Sequence, residues 1–352
     1  MYEGQKIKFS AILVDKNNID NLISNKKIII CELRNSRSKC KKLAVFEMMS
    51  LFERYNPIFI KNCPLSEVKG VFSICIDYDD DNKKNIISLM KCAGYCNKFY
   101  MLEFGDSNKE NMLFLKYNPL LSWKKRKFSI VEFYEQDEAE NRKQAPDMRE
   151  FYIKCGDEVV RKIKGYRGNG KEFGRRALPV EDCRMLCNLA CNENSKVVLD
   201  PFAGAGGILY QIRQAFPTVE IHTIDISEEL ASGLIDYGAT HHIADASKID
   251  LQDLKFDGIM TEVPFANSLT NIVCEAFKNL KKHMSDNCKI SIMCGTQQSQ
   301  SISKSLIEDG LYVVNMFGVD RKGTDVDIIF AVNNECDYKT LYEFSEKIKE
   351  IT

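Results

Sequence analysis

No stretch of this sequence offers the usual handles for export or membrane insertion. The opening residues MYEGQKIKFS hold no apolar core, and no uninterrupted run of about 18 apolar residues occurs. The expectation is a cytoplasmic protein with no membrane contact. Net charge is also missing: 49 Lys and Arg stand against 50 Asp and Glu, leaving -1 over 352 residues. Any nucleic-acid footprint must therefore be local. No Cys-x-x-Cys pair exists among the 14 cysteines, so a structural zinc site has no support and no metal is expected. Repeats and low-complexity tracts are absent too.

What is present is ordinary globular composition and enough length for two domains. The cysteines sit mostly inside apolar periodic segments and read as reduced, buried thiols. Cys183, Cys187 and Cys191 recur every four residues, on one helical face, where core packing outweighs a metal site. KIIICEL reads as a strand, KKLAVFEMMSLFERY as a helix, VFSICIDYDDD as a strand entering a turn, and NIISLMKCAGYCNKF as a second helix. This predicts a small α+β domain over 1–115. Residues 116–174 read as a linker with one strand, FSIVEFY, and a basic segment. From 175 to 352 strands and helices alternate, starting behind Pro179 with Glu181 and Asp182. Alternation predicts a doubly wound α/β, Rossmann-like sheet. YVVNMFGV and VDIIFAVNN, joined by a short turn, must close it as an antiparallel hairpin.

KVVLDPFAGAGG, residues 196–207, ends a strand in an acid and then spends three glycines in four positions. Such a loop lets backbone approach a bulky ligand at the carboxyl edge of the sheet. Read as G-x-G-x-x-G from Gly204, the template fits Gly206 but meets Leu209 in its sixth place, so a dinucleotide fits poorly. S-adenosylmethionine has no pyrophosphate and carries a cationic sulfonium. Asp200 suits its ammonium and sulfonium field, Asp225 can accept from ribose hydroxyls, and Asp245 from the adenine amine. Phe202, Gly204, Gly206, Ile226 and Ala246 complete the cofactor set. Any one acid alone could be a cap or a solvated turn; three at successive strand ends form a constellation.

FDGIMTEVPF occupies the fourth strand and the loop after it. With DPFAGAGG, FGRRALPVEDCRMLCNLA and CKKLAVFEMMSLF, the chain resembles the THUMP-associated tRNA guanosine-N2 methyltransferases, a family of class I enzymes. The resemblance covers about 174–330 and is partial over the first 115 residues, where it implies a THUMP-like RNA-binding role. It implies a methyltransferase acting on guanosine N2 of tRNA, and in some relatives a small activating protein subunit. The family's Asp-Pro-Pro-Tyr stands here as Glu262, Val263, Pro264 and Phe265. Glu262 can accept an amine hydrogen although one methylene longer, Phe265 can stack on a flipped base, and Val263 replaces a stiffening proline.

The basic segment RKIKGYRGNGKEFGRR offers Arg161, Lys162, Lys164, Arg167, Lys171, Arg175 and Arg176 to an RNA backbone, although such runs are often only solvated surface. SWKKRKF is a weaker second patch. Two rival readings remain at this level: an adenine-N6 methyltransferase of DNA or RNA, and a non-catalytic RNA-binding or partner-activating subunit that kept the fold.

Overall fold

The computed structural model describes residues 9–13, 26–61, 69–104, 128–136, 151–155, 158–163, 178–321 and 324–350. The chain divides into two compact units: Lys6–Asp137 with Thr340–Thr352, and Glu138–Lys339 with Met1–Gln5.

In the first unit the strands are β1 (Ser10–Leu13), β2 (Lys26–Leu33), β3 (Ile58–Lys61), β4 (Val71–Asp77), β5 (Cys96–Phe104) and β6 (Phe128–Glu135). They form one sheet in the order β1-β3-β4-β2-β5-β6, with β1 parallel to β3 and the other neighbours antiparallel. The helix α1 (Lys41–Leu51) is apolar round most of its circumference, and Leu43, Phe46, Met48 and Met49 are buried. Its buried Glu47 corrects one expectation. The sequence predicts a helix over all of NIISLMKCAGYCNKF, but α2 (Lys83–Cys92) stops and β5 follows. The Glu47 carboxylate accepts the amides of Gly94 and Tyr95 at 2.5 and 2.9 Å, which turns the chain there.

The expected boundary at 115 also shifts. FSIVEFY lies within β6 and pairs with β5, and buried Gln136 donates to the carbonyls of Met90 and Ala93 at 2.7 and 3.0 Å. The chain's far end joins the same unit. Phe344, in the helix Glu335–Lys347, meets Phe9 and Phe46 edge-on, with ring centroids 5.4 and 5.3 Å apart. The unit therefore draws on both ends of the sequence, where one continuous domain over 175–352 was expected.

The second unit opens with a hairpin of β7 (Phe151–Cys155) and β8 (Glu158–Ile163). Alternation follows: α3 (Val180–Ala190), β9 (Val197–Asp200), α4 (Gly207–Ala215), β10 (Glu220–Asp225), α5 (Ala231–Asp236) and β11 (Thr240–Ile243). Then come β12 (Phe256–Glu262), α6 (Thr270–Leu280), β13 (Met284–Gly295), α7 (Thr296–Glu308), β14 (Tyr312–Asp320) and β15 (Asp325–Val332). The sheet order is β11-β10-β9-β12-β13-β15-β14; its first five strands are parallel and β15 runs antiparallel to both neighbours. This is the doubly wound, Rossmann-like class I methyltransferase sheet, with its terminal antiparallel hairpin.

Leu199, Ile259, Ile290 and Ile292 of the sheet pack with Val273 and Phe277 of α6 and Ile302 and Leu306 of α7. Between Ile290 and Ile292, Ser291 points the other way and donates to the Leu186 carbonyl of α3 at 2.8 Å. There α3 presses so close that a Cβ on Gly258 of β12 would stand 2.3 Å from the Ala190 oxygen. No helix among the described residues is long and apolar enough to cross a membrane.

Candidate active site

Parallel strands bring their carboxyl ends to one edge of the sheet. Asp200 lies beside Thr223, Asp225 beside Ile243, and Glu262 beside Met293. Asp245 follows two residues after β11. The four acids singled out from the sequence thus stand along one edge.

The glycine loop is held in place by one of them. Gly204 and Gly206 adopt φ of +51° and +77°, which favours glycine. Asp225 accepts the Gly204 amide at 2.8 Å with one oxygen and the Ser227 amide at 2.9 Å with the other. Among the described residues, a Cβ on Gly204 would meet nothing within 4 Å, so the loop backbone there is open to a ligand. Phe202 packs on the core cluster beneath it, and Ile226, 72% exposed, lays an apolar side chain bare beside Asp225. Asp245 accepts the Ser247 hydroxyl at 2.7 Å and pairs with Lys248 at 3.1 Å; Ser247 foremost, then Lys248, holds its carboxyl below the usual range. Buried Ala246 gives its carbonyl to Asn279 at 3.1 Å.

Asp200 is different in kind, being 1% exposed. Burial pushes its carboxyl up to about 7, against the Thr261 hydroxyl at 2.7 Å and the Phe202 amide at 3.2 Å, which favour the ionised form. A cation placed against it would complete its ionisation. The donor set fits S-adenosylmethionine: acidic strand ends suit a sulfonium and an ammonium, whereas a pyrophosphate would meet repulsion.

At the next strand end, Val263 carries the pairing of β12 with β13 one residue further. Its amide donates to the Met293 carbonyl at 2.9 Å, a bond that proline could not make. The loop is braced from α7 instead. Gln298 donates to the carbonyls of Pro264 and Ala266 at 3.0 and 3.2 Å, and Gln297 to that of Phe265 at 2.9 Å. Phe265 is half-buried. Glu262 accepts from Arg321 Nη1 at 2.6 Å, and Arg321 Nε lies 3.5 Å from Asp182 of α3. Burial raises the Glu262 carboxyl while the Arg321 charge and hydrogen bond oppose that rise.

Sequence reasoning did not single out Arg321, Gln297 or Gln298, and took Asp182 only as a helix-start signal. Nothing local distinguishes them, because each reaches the site from a remote element. Among the basic residues, Arg161 and Lys162 lie on β8, opposite Ile153 and Tyr152, rather than in a loop. Lys164, Arg167, Lys171, Arg175 and Arg176, like most of SWKKRKF, fall outside the described residues. β7 packs against Glu228–Leu230 and α5, the segment that follows Asp225. The Cys183 and Cys187 thiols are buried and contact the carbonyls of Leu178 and Ile208 at 3.7 and 3.6 Å.

No family model matches the chain. A curated relative, the "Probable tRNA (guanine(10)-N2)-dimethyltransferase" of Methanothermococcus thermolithotrophicus, is 31% identical over 111 residues, covering 27% of this chain and 67% of the relative. Among solved structures, TrmN from Thermus thermophilus aligns over 87% of this chain and 99% of its own at 13% identity and a TM-score of 0.45. Magnesium protoporphyrin IX methyltransferase from Synechocystis, solved with bound SAM, aligns over 44% of this chain and 76% of its own at 16% identity and a TM-score of 0.35.

Proposed function

The chain belongs to the tRNA (guanine(10)-N2)-dimethyltransferase family, and from that premise we propose that it methylates an exocyclic amine of an RNA base, guanine N2 in a tRNA. The observation that carries the reading is the shared edge: three acids around an open glycine loop, with Glu262 and Phe265 at the adjoining strand end.

S-adenosylmethionine, when bound, supplies an electrophilic methyl on its sulfonium. Asp225 would accept from the ribose while keeping the glycine loop in register. Asp245 would take the adenine amine, and Ile226 would cover the adenine face. Asp200 would sit under the cationic amino-acid end. Phe265 would stack on the flipped base, and Glu262 would accept one amine hydrogen and hold the proton released. Alignment does most of the work, because the methyl is already reactive. Arg161 and Lys162 on β8 would contact the RNA backbone.

The test is transfer of labelled methyl from S-adenosylmethionine to tRNA lacking the modification, with DNA in parallel and a nucleoside digest of the product. Label in N2-methylguanosine supports the reading. Label in N6-methyladenosine moves the target, and cofactor binding without transfer leaves a non-catalytic subunit. Glu262→Ala is expected to lower turnover about a hundredfold while sparing cofactor binding. Asp225→Ala is expected to weaken S-adenosylmethionine roughly tenfold or more by calorimetry, and equal affinity would remove that assignment.

A further inference from the structure

Glu262 is an unusual choice of acceptor, since an extra methylene adds a torsion to be fixed and its carboxyl sits where burial disfavours charge. Arg321 answers both problems. It follows β14 and reaches back to the end of β12, where Nη1 donates to Glu262 Oε1 at 2.6 Å. The same nitrogen lies 3.6 Å from Met293 Sδ, and Nε lies 3.5 Å from Asp182 Oδ2. The three side chains run from buried to open: Asp182 is 0% exposed, Arg321 15% and Glu262 24%. Among the described residues no other hydrogen bond to the Glu262 carboxylate is made, so Oε2 remains open for a substrate hydrogen.

We propose that Arg321 is a positioning residue for methyl transfer: anchored by Asp182, it clamps Glu262 Oε1 and so fixes the carboxylate with Oε2 turned to the target amine. The inference rests on the proposed function only for what the substrate is. The clamp itself is a property of this chain.

The charge neighbours of Glu262 set the sign of the effect. Among the described residues, Arg321 alone favours its ionised form; burial and Asp182 of α3 disfavour it. Asp200 of β9 and the Cys183 thiol of α3 are each coupled to Glu262 as well, both pushed upward in part by its charge. Removing the guanidinium leaves, among the described residues, only influences that raise the carboxyl. Glu262 then stays protonated to higher pH, and the acid limb of the rate profile moves in the alkaline direction. Asp182→Asn removes an opposing charge and moves that limb the other way. A residue that merely supports the fold would lower the rate at every pH alike.

The experiment compares wild type, Arg321→Gln and Asp182→Asn in two readouts. The first is kcat against pH at saturating tRNA and S-adenosylmethionine. For Arg321→Gln we expect a loss on the acid limb of about tenfold for each pH unit the limb moves, recovered in alkali, with KM values within about twofold of wild type. The second readout is carboxyl NMR of protein carrying 13C-labelled glutamate, with Glu262→Gln identifying the signal. Its titration should rise in Arg321→Gln and fall in Asp182→Asn. Unmoved titrations in both variants would overturn the inference. If wild type transfers nothing yet the titrations shift as stated, the functional reading falls and the clamp stands. Should Arg321→Gln not fold, Arg321→Lys decides: a single ammonium cannot replace the guanidinium fork between Glu262 and Asp182, so the Glu262 titration should still rise, and an unmoved one would overturn the inference.

Discussion

Asp200 is the residue whose chemistry departs furthest from its sequence appearance. As a strand-end acid it reads as an ordinary carboxylate, but burial brings its carboxyl to about 7. Its folded value lies above the unfolded one. The stability it lends is therefore fully present below about pH 4 and is lost as pH rises towards and through about 7. Asp200→Asn keeps an oxygen for Thr261 and Phe202 and cannot ionise. Its melting temperature should match wild type in acid and exceed it at pH 8, by a few kcal/mol of stability. Cofactor affinity of the wild type should rise between pH 6 and 8, because the cationic ligand favours the ionised acid; in Asp200→Asn that part of the rise should vanish. A flat difference in melting temperature across pH would show that Asp200 is ionised throughout. Val263 makes a complementary point: its amide makes a bond to the Met293 carbonyl that a proline at this position could not.

At the scale of elements, two glycines separate binding from folding. Gly204 has positive φ, and none of the described residues stands within 4 Å of where its Cβ would go. Gly204→Ala should cost about 1 kcal/mol in strain and a larger factor in cofactor affinity, since the methyl enters the ligand's space. Gly258 has the opposite profile. Its Cβ would strike the Ala190 carbonyl of α3 at 2.3 Å, and backbone cannot step aside as a side chain can. Gly258→Ala should lower the denaturation midpoint sharply by prying α3 from β12, without touching a binding residue. The α7 brace is intermediate. Buried Gln298 accepts the Gly295 amide at 3.1 Å and donates to the loop after β12, so Gln298→Leu should reduce turnover more than stability, measured as kcat beside a urea melt.

At the scale of the whole molecule, the first unit is completed by the chain's last residues. Phe344→Ala empties the space against Phe9 and Phe46 and should cost about 3–5 kcal/mol, with hydrogen exchange rising in α1. Unchanged exchange in α1 would mean that the terminal helix contributes nothing to that unit. The sequence by itself determined the second unit's sheet, its glycine loop and the acids at its strand ends. These follow from local rules: period-two and period-3.6 patterns choose the elements, glycine permits the turn, and parallel strands place their carboxyl ends together. Only the tertiary structure decided that α2 stops at Cys92, because the amides that end it find their acceptor on Glu47, far back in the chain. Only it brought Arg321, Asp182 and Glu262 together, although 59 positions separate Arg321 from Glu262. Contacts of that kind leave no period in the sequence. They are fixed by which buried charge lacks a partner once the sheet has formed, and that is known only when the chain has closed on itself.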